Sequence, residues 1–290
     1  MKRDFDFLIV TGPTASGKTK KALDIALEND GVIINCDSQQ VYSDFKILSA
    51  YPDQKDIDSV PHKLFGYLDF NQETSAAEWA KLASKIICET LDQGKLPIVT
   101  GGTGMYIHIL TKGISPMPEV SKETRQYVGD LAKNNFHELL NTIYNKDPKI
   151  QDYIKPENHR QAIRAMEIFY ETGKSILDFY NKPKIRFIEG LKYKVILLNP
   201  ERSVLYENIN KRFDMMIKNG AIEEVEEFLH KHKDQEFEEI VRQPIFKIIG
   251  TKEIAQYIKG EANKHYICEK IKTKTRQYAK RQQTWFKKYI

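Results

Sequence analysis

Gly12-Pro13-Thr14-Ala15-Ser16-Gly17-Lys18-Thr19 sets two glycines around four residues and ends in Lys-Thr, directly behind the apolar run Phe7-Leu8-Ile9-Val10. That spacing is a phosphate-loop pattern. Its backbone N–H groups close around phosphate oxygens at the positive end of the following helix, Lys18 adds a point charge, and the Thr19 hydroxyl can hold Mg²⁺. Asp37, in Asp37-Ser38-Gln39-Gln40-Val41-Tyr42, puts a carboxylate behind a second apolar run. It can bind Mg²⁺ or accept a proton from a nucleophile, and the residues before it do not choose between these. Gly101-Gly102-Thr103-Gly104 allows close backbone approach to a ligand, with Thr103 donating to a leaving-group oxygen, although a tight strand-to-helix turn explains the glycines equally well. Arg212 is a candidate second cation for a diphosphate. The loop alone leaves open whether its phosphate belongs to a hydrolysed nucleotide or to a diphosphate leaving group.

Strand, helix and strand must position these groups. A strand ending near Thr11, a helix from about Gly17 to Glu28 and a strand over Gly31–Cys36 make a βαβ unit. Thr74 or Ser75 caps a helix to about Leu91, Gly94 ends it, and Leu96-Pro97-Ile98-Val99-Thr100 is a third strand. The fold class is α/β: a P-loop-type parallel sheet flanked by helices, with an all-helical insertion domain. Ligands in such sheets sit beyond the carboxyl ends of the strands, where the loop, Asp37 and Thr103 all fall. Asp37 is expected on the strand next to the phosphate-loop strand. Between about 115 and 190 helical periodicity replaces strand patterns, so residues 1–114 and 191–290 form the core and 115–190 the insertion. Tyr193–Leu198 is expected to return as a core strand, and Glu223, Glu224, Glu226 and Glu227 to form the wet side of an amphipathic helix.

Net charge is +5, but residues 264 to 290 hold nine Lys or Arg against the single acid Glu269, a net of +8, which leaves the other 263 residues at −3. On the last helix Ile267, Ile271, Thr275, Tyr278, Gln282 and Trp285 fall within an arc of about 80°, opposite Lys272, Arg276, Lys280 and Lys287. One face packs and the other is available to a polyanion. Three cysteines far apart, Cys36, Cys88 and Cys268, without a CxxC pair, indicate neither a disulfide framework nor structural zinc. No uninterrupted apolar run approaches ~18 residues, so no membrane partner is expected and the chain is read as cytoplasmic.

Taken in order, GPTASGKT (12–19), DSQQVY (37–42), Pro61-His62-Lys63-Leu64, GGTGMY (101–106), Arg164-Ala165-Met166-Glu167 and TRQYAKRQQTWF (275–286) resemble the bacterial tRNA dimethylallyltransferases, also called tRNA isopentenyltransferases. The resemblance spans nearly the whole chain. It implies transfer of a dimethylallyl group from dimethylallyl diphosphate to N6 of the adenosine immediately 3′ of a tRNA anticodon, with Mg²⁺ as cofactor and the phosphate loop holding the allylic diphosphate. It implies that Asp37 is the general base, that Thr103 contacts a diphosphate oxygen and that Arg212 and Lys18 hold the diphosphate. Residues expected at the tRNA anticodon loop are Asp37, Ser38, Gln39, Gln40, Thr103, Arg125, Arg160, Gln161, Ala162, Ile163 and Arg164, joined by Lys272, Arg276 and Lys280 of the basic helix. A monomer is expected. The chain departs from common family patterns at Tyr51, Asn158, Gln161 and Thr251, which bears on individual RNA contacts. Rival readings are an adenylate isopentenyltransferase acting on free nucleotide, which needs neither insertion nor basic helix, and a phosphate-loop NTPase or RNA-binding module, which lacks its water-positioning and arginine-finger signatures here.

Overall fold

Phe7–Thr11 (β1) is buried at every residue and feeds, through the phosphate loop, a helix at Lys18–Glu28 (α1). Continuous apolar runs suit strands covered on both faces, as in a parallel sheet. Gly31–Asn35 (β2) follows, then short helices Lys46–Ser49 (α2) and Gln54–Ser59 (α3), and a two-residue strand His62–Lys63 (β3). Ala76–Asp92 (α4) begins at Ser75, which forms a capping box with Glu78, and leads to Leu96–Gly101 (β4) and Gly104–Lys112 (α5). The computed structural model describes residues 3–290.

The chain divides into two units, residues 3–111 with 187–290 and Lys112–Arg186, where the sequence places the joints at 114/115 and 190/191. In the insertion unit Lys122–Asn134 (α6), Phe136–Lys146 (α7), His159–Thr172 (α8) and Ile176–Tyr180 (α9) enclose Val128, Leu139, Ile143, Ala162, Ala165 and Met166. Ser121 and Asn135 cap α6 and α7. The chain then returns to the core as Tyr193–Leu197 (β5), followed by Arg202–Lys218 (α10), Ala221–Lys231 (α11), Phe237–Ile240 (α12), Thr251–Ile258 (α13) and Lys264–Tyr289 (α14).

All pairings in the sheet are parallel, in the order β3-β2-β4-β1-β5. This corrects one expectation and refines another. The Asp37 strand does not neighbour the phosphate-loop strand, because β4 lies between them; Gly101 at the end of β4 packs closely on the end of the Asp37 strand, since a Cβ there would lie 2.1 Å from the Cys36 carbonyl. And β5 does return to the core sheet, but only as its edge beside β1, with most of it half-buried. β3 escaped notice because two residues carry no periodicity. Among the described residues no helix is long and apolar enough to cross a membrane, and the three cysteines are free thiols.

Candidate active site

The phosphate loop is shaped by contacts rather than by glycine freedom alone. A Cβ on Gly12 would lie 2.3 Å from the Leu198 carbonyl oxygen, and Gly17 at φ 87° starts α1 in a left-handed conformation. Lys18 folds back so that Nζ donates to the Pro13 carbonyl at 3.3 Å. Burial pushes its ammonium down to about 8, against the opposing pull of Asp37. Arg212 donates to the Thr14 hydroxyl and is likewise held below its ordinary range by burial, with Asp37 partly offsetting this. It projects from a stripe of α10 with Ile209, Phe213 and Met216, so the candidate second cation is embedded in an apolar wall. The Ser16 hydroxyl is buried without a partner among the described residues. Together, two desolvated cations, an unpaired hydroxyl and a helix N-terminus fit a di- or triphosphate.

Asp37 is held by its own strand. Asn35 Oδ1 accepts the Asp37 N–H at 2.8 Å, Asn35 Nδ2 donates to the Asp37 and Leu64 carbonyls at 3.1 and 2.9 Å, and Gln39 N–H donates to Asp37 Oδ1 at 3.0 Å. The Thr103 hydroxyl accepts the Ser38 N–H at 2.9 Å and lies 3.2 Å from the Ser38 hydroxyl. Lys18, Asp37, Arg212, Thr14, Thr19 and Gln39 line one cavity, whose remaining wall carries Leu48, Pro52, Phe65, Ile249 and Ile271. A polar end that grips anions thus meets a carboxylate and an apolar wall in a single space.

Three contributors escaped the sequence reading. Asn35 orients Asp37 and looked like an ordinary strand terminus. Tyr278, assigned only to the packed face of the last helix, lines the cavity; burial and the Asp37 charge push its phenol up, while hydrogen bonds with Gln39 and Thr103 oppose this. Gln282 is buried and accepts the Thr14 N–H at 2.8 Å while donating to the Gly102 carbonyl at 2.8 Å, so it ties the phosphate loop to the β4–α5 turn. A Cβ on Gly102 would sit 2.2 Å from Gln282, and one on Gly104 would sit 2.3 Å from the Trp285 ring. Gly102 and Gly104 therefore admit the terminal helix. The i, i+3, i+4 and i+7 spacing within TRQYAKRQQTWF was the available signal for these contacts.

Several residues expected at RNA have partners within the chain. Lys272 pairs with Asp214 at 2.7 Å and Glu269 at 3.6 Å, and Arg276 donates to Asn210 Oδ1 at 2.9 Å and Thr273 Oγ1 at 2.8 Å. Both are taken up locally, largely by α10, whose packing against α14 the helical projection could not foresee; Lys280 is exposed. Ala162 is fully buried, and Ile163 is partly buried against the insertion core. Arg164 pairs with Glu167 at 2.9 Å and is half-exposed, whereas Arg125, Arg160 and Gln161 are exposed. Gln40 Nε2 donates to the Ser49 and Ala50 carbonyls at 3.1 and 2.6 Å, which makes it a brace of the cavity wall.

Fold and site together define a phosphate-loop α/β transferase with a carboxylate facing an anion grip. Residues 40–289 match the family model described as IPP transferase. The chain is 36% identical over 280 residues to a tRNA dimethylallyltransferase of Zymomonas mobilis, covering 97% of this chain and 87% of that one, and 35% identical over 288 residues to one of Agrobacterium fabrum, covering 99% and 95%. Among solved structures it resembles a tRNA isopentenylpyrophosphate transferase from Bacillus halodurans (30% identity, 97% and 86% coverage, TM-score 0.66) and a eukaryotic dimethylallyltransferase acting on tRNA (25% identity, 96% and 69% coverage, TM-score 0.80). The chain belongs to the IPP transferase family.

Proposed function

We propose that the protein transfers a dimethylallyl group from dimethylallyl diphosphate to N6 of the adenosine immediately 3′ of the anticodon in tRNA, releasing diphosphate. The observation that carries this reading is the single cavity in which Lys18, Arg212 and the phosphate loop face Asp37 across an apolar wall. Negative charge growing on the departing diphosphate meets preorganised N–H groups and two cations in a desolvated pocket. Asp37 accepts a hydrogen bond from the adenine amine and then its proton, with Oδ1 held by Gln39 and Asn35 fixing the backbone. Reaching Asp37 requires the base to leave its stack. Thr103 is assigned to the adjacent diphosphate oxygen.

Among the described residues no group of three or more His, Cys, Asp or Glu could hold a metal by itself. Thr19 lines the cavity beside Lys18 and Arg212, so its hydroxyl would hold Mg²⁺ together with substrate phosphates, the usual arrangement for this ion. When bound, Mg²⁺ would neutralise diphosphate charge. Arg125, Arg160, Gln161 and Lys280 are the exposed groups assigned to RNA. Incubation with labelled dimethylallyl diphosphate and tRNA, AMP or no acceptor, with ATP hydrolysis followed in parallel, tests the reading. Label should enter tRNA alone; transfer to AMP or acceptor-independent ATP turnover would replace it with one of the rivals.

A further inference from the structure

Within the acidic run of α11, Glu224 is not on the wet side as its neighbours suggest. Its carboxylate is half-buried and accepts the N–H of Ile47 at 2.8 Å and of Leu48 at 3.1 Å, across 177 and 176 residues of sequence. The turn it holds is under strain. Phe45 and Ala50, at its two ends, both adopt φ 54°, a left-handed conformation that side chains other than glycine rarely tolerate. Gln40 braces the same turn from the opposite end by donating to the Ser49 and Ala50 carbonyls. What this braced turn presents to the cavity is Leu48, Ser49 and Ala50, continued by Pro52. If the diphosphate sits at Lys18 and Arg212 and the amine at Asp37, this segment, with Phe65, Ile249 and Ile271, forms the wall left for the hydrocarbon.

We propose that Glu224 is a positioning residue that fixes this wall and thereby sets which allylic chain length the cavity accepts. The inference rests on the donor assignment above. Glu224 touches no substrate; it acts by holding the strained turn in the one conformation that closes the cavity around a five-carbon group. Loss of the carboxylate leaves two part-buried N–H groups without their acceptor and lets the turn relax, which widens the wall while leaving Lys18, Arg212 and Asp37 in place.

The test compares wild type with Glu224→Ala, Glu224→Gln and the exposed neighbour Glu223→Gln as control. Each is assayed for KM and kcat with dimethylallyl and geranyl diphosphate, for KM of tRNA, and for Tm. Glu224→Ala should raise the dimethylallyl diphosphate KM about tenfold and reduce the preference for the shorter donor by about tenfold or more, the scale of a lost apolar contact in a specificity pocket. kcat at saturating donor and the KM of tRNA should stay within about threefold, a split that general loss of structure would not give. Glu224→Gln keeps one acceptor and should fall between, carrying the test if the alanine variant does not fold. Unchanged donor preference in both variants, or donor and tRNA parameters moving together with Tm, would overturn the proposal. Direct binding of the two donors without tRNA separates failures: absent tRNA transfer by wild type refutes the proposed function, whereas a preference in donor binding that Glu224 does not affect refutes this inference.

Discussion

Donor binding should take up a proton above neutral pH, and Lys18 is the group that accepts it. Burial lowers its ammonium to about 8 in the free protein, while its ordinary value is 10.5. At about pH 8.5 roughly a quarter of the free protein then carries charge on Lys18; placing diphosphate oxygens against Nζ restores nearly full protonation, for an uptake of about 0.7 proton. The donor's own phosphates are fully ionised there and contribute none. Between about pH 7 and about pH 9 donor affinity should fall around tenfold, because the protonated fraction of the free protein falls by that factor. Folding stability moves the other way. The folded pKa lies below the unfolded one, so burying the charge costs stability below about 8, and that cost, on the order of 3 kcal/mol, fades as pH rises toward 10.5. Calorimetric titration of wild type and Lys18→Met with dimethylallyl diphosphate in two buffers of different ionisation enthalpy measures the uptake. Zero uptake in wild type, or the same uptake in Lys18→Met, would refute the reasoning.

Asp37→Asn should retain donor and tRNA binding yet lose single-turnover transfer by ~10²-fold or more, as for a missing general base; restoration of rate by added Mg²⁺ would instead make Asp37 a metal ligand. Gln282→Ala should weaken donor binding and cost roughly 1–3 kcal/mol in denaturant unfolding, because it orphans the Thr14 N–H and the Gly102 carbonyl. An unaltered donor Kd would show that the clamp does not shape the phosphate loop. Neutralising Lys280 and Lys287 together should lower the log–log salt slope of tRNA binding by about 1.4–1.8, while Lys272→Gln, already paired with Asp214, should leave it unchanged. Equal slopes for both variants would put RNA elsewhere on the chain.

The local devices were legible in the chain because each is written in a few adjacent residues. The phosphate loop, the βαβ spacing, the Ser75 cap and the helical stretch before Tyr193 depend on short-range geometry and hydrophobic period, which the sequence carries directly. Residue chemistry and the family patterns both point to Asp37, Thr103 and Arg212. Tertiary structure alone decided what those positions face. Strand order is a long-range choice, so β4 came between the strands of Asp37 and the phosphate loop. A helical wheel gives directions and not neighbours; α10 therefore paired Lys272 with Asp214 and bonded Arg276 through Asn210, and Gln282 turned out to be the rivet of the loop. Glu224 and the glutamates around it are equivalent as an acidic run. Only the arrival of the Phe45–Ala50 turn, with two N–H groups that need an acceptor away from water, separates it from them.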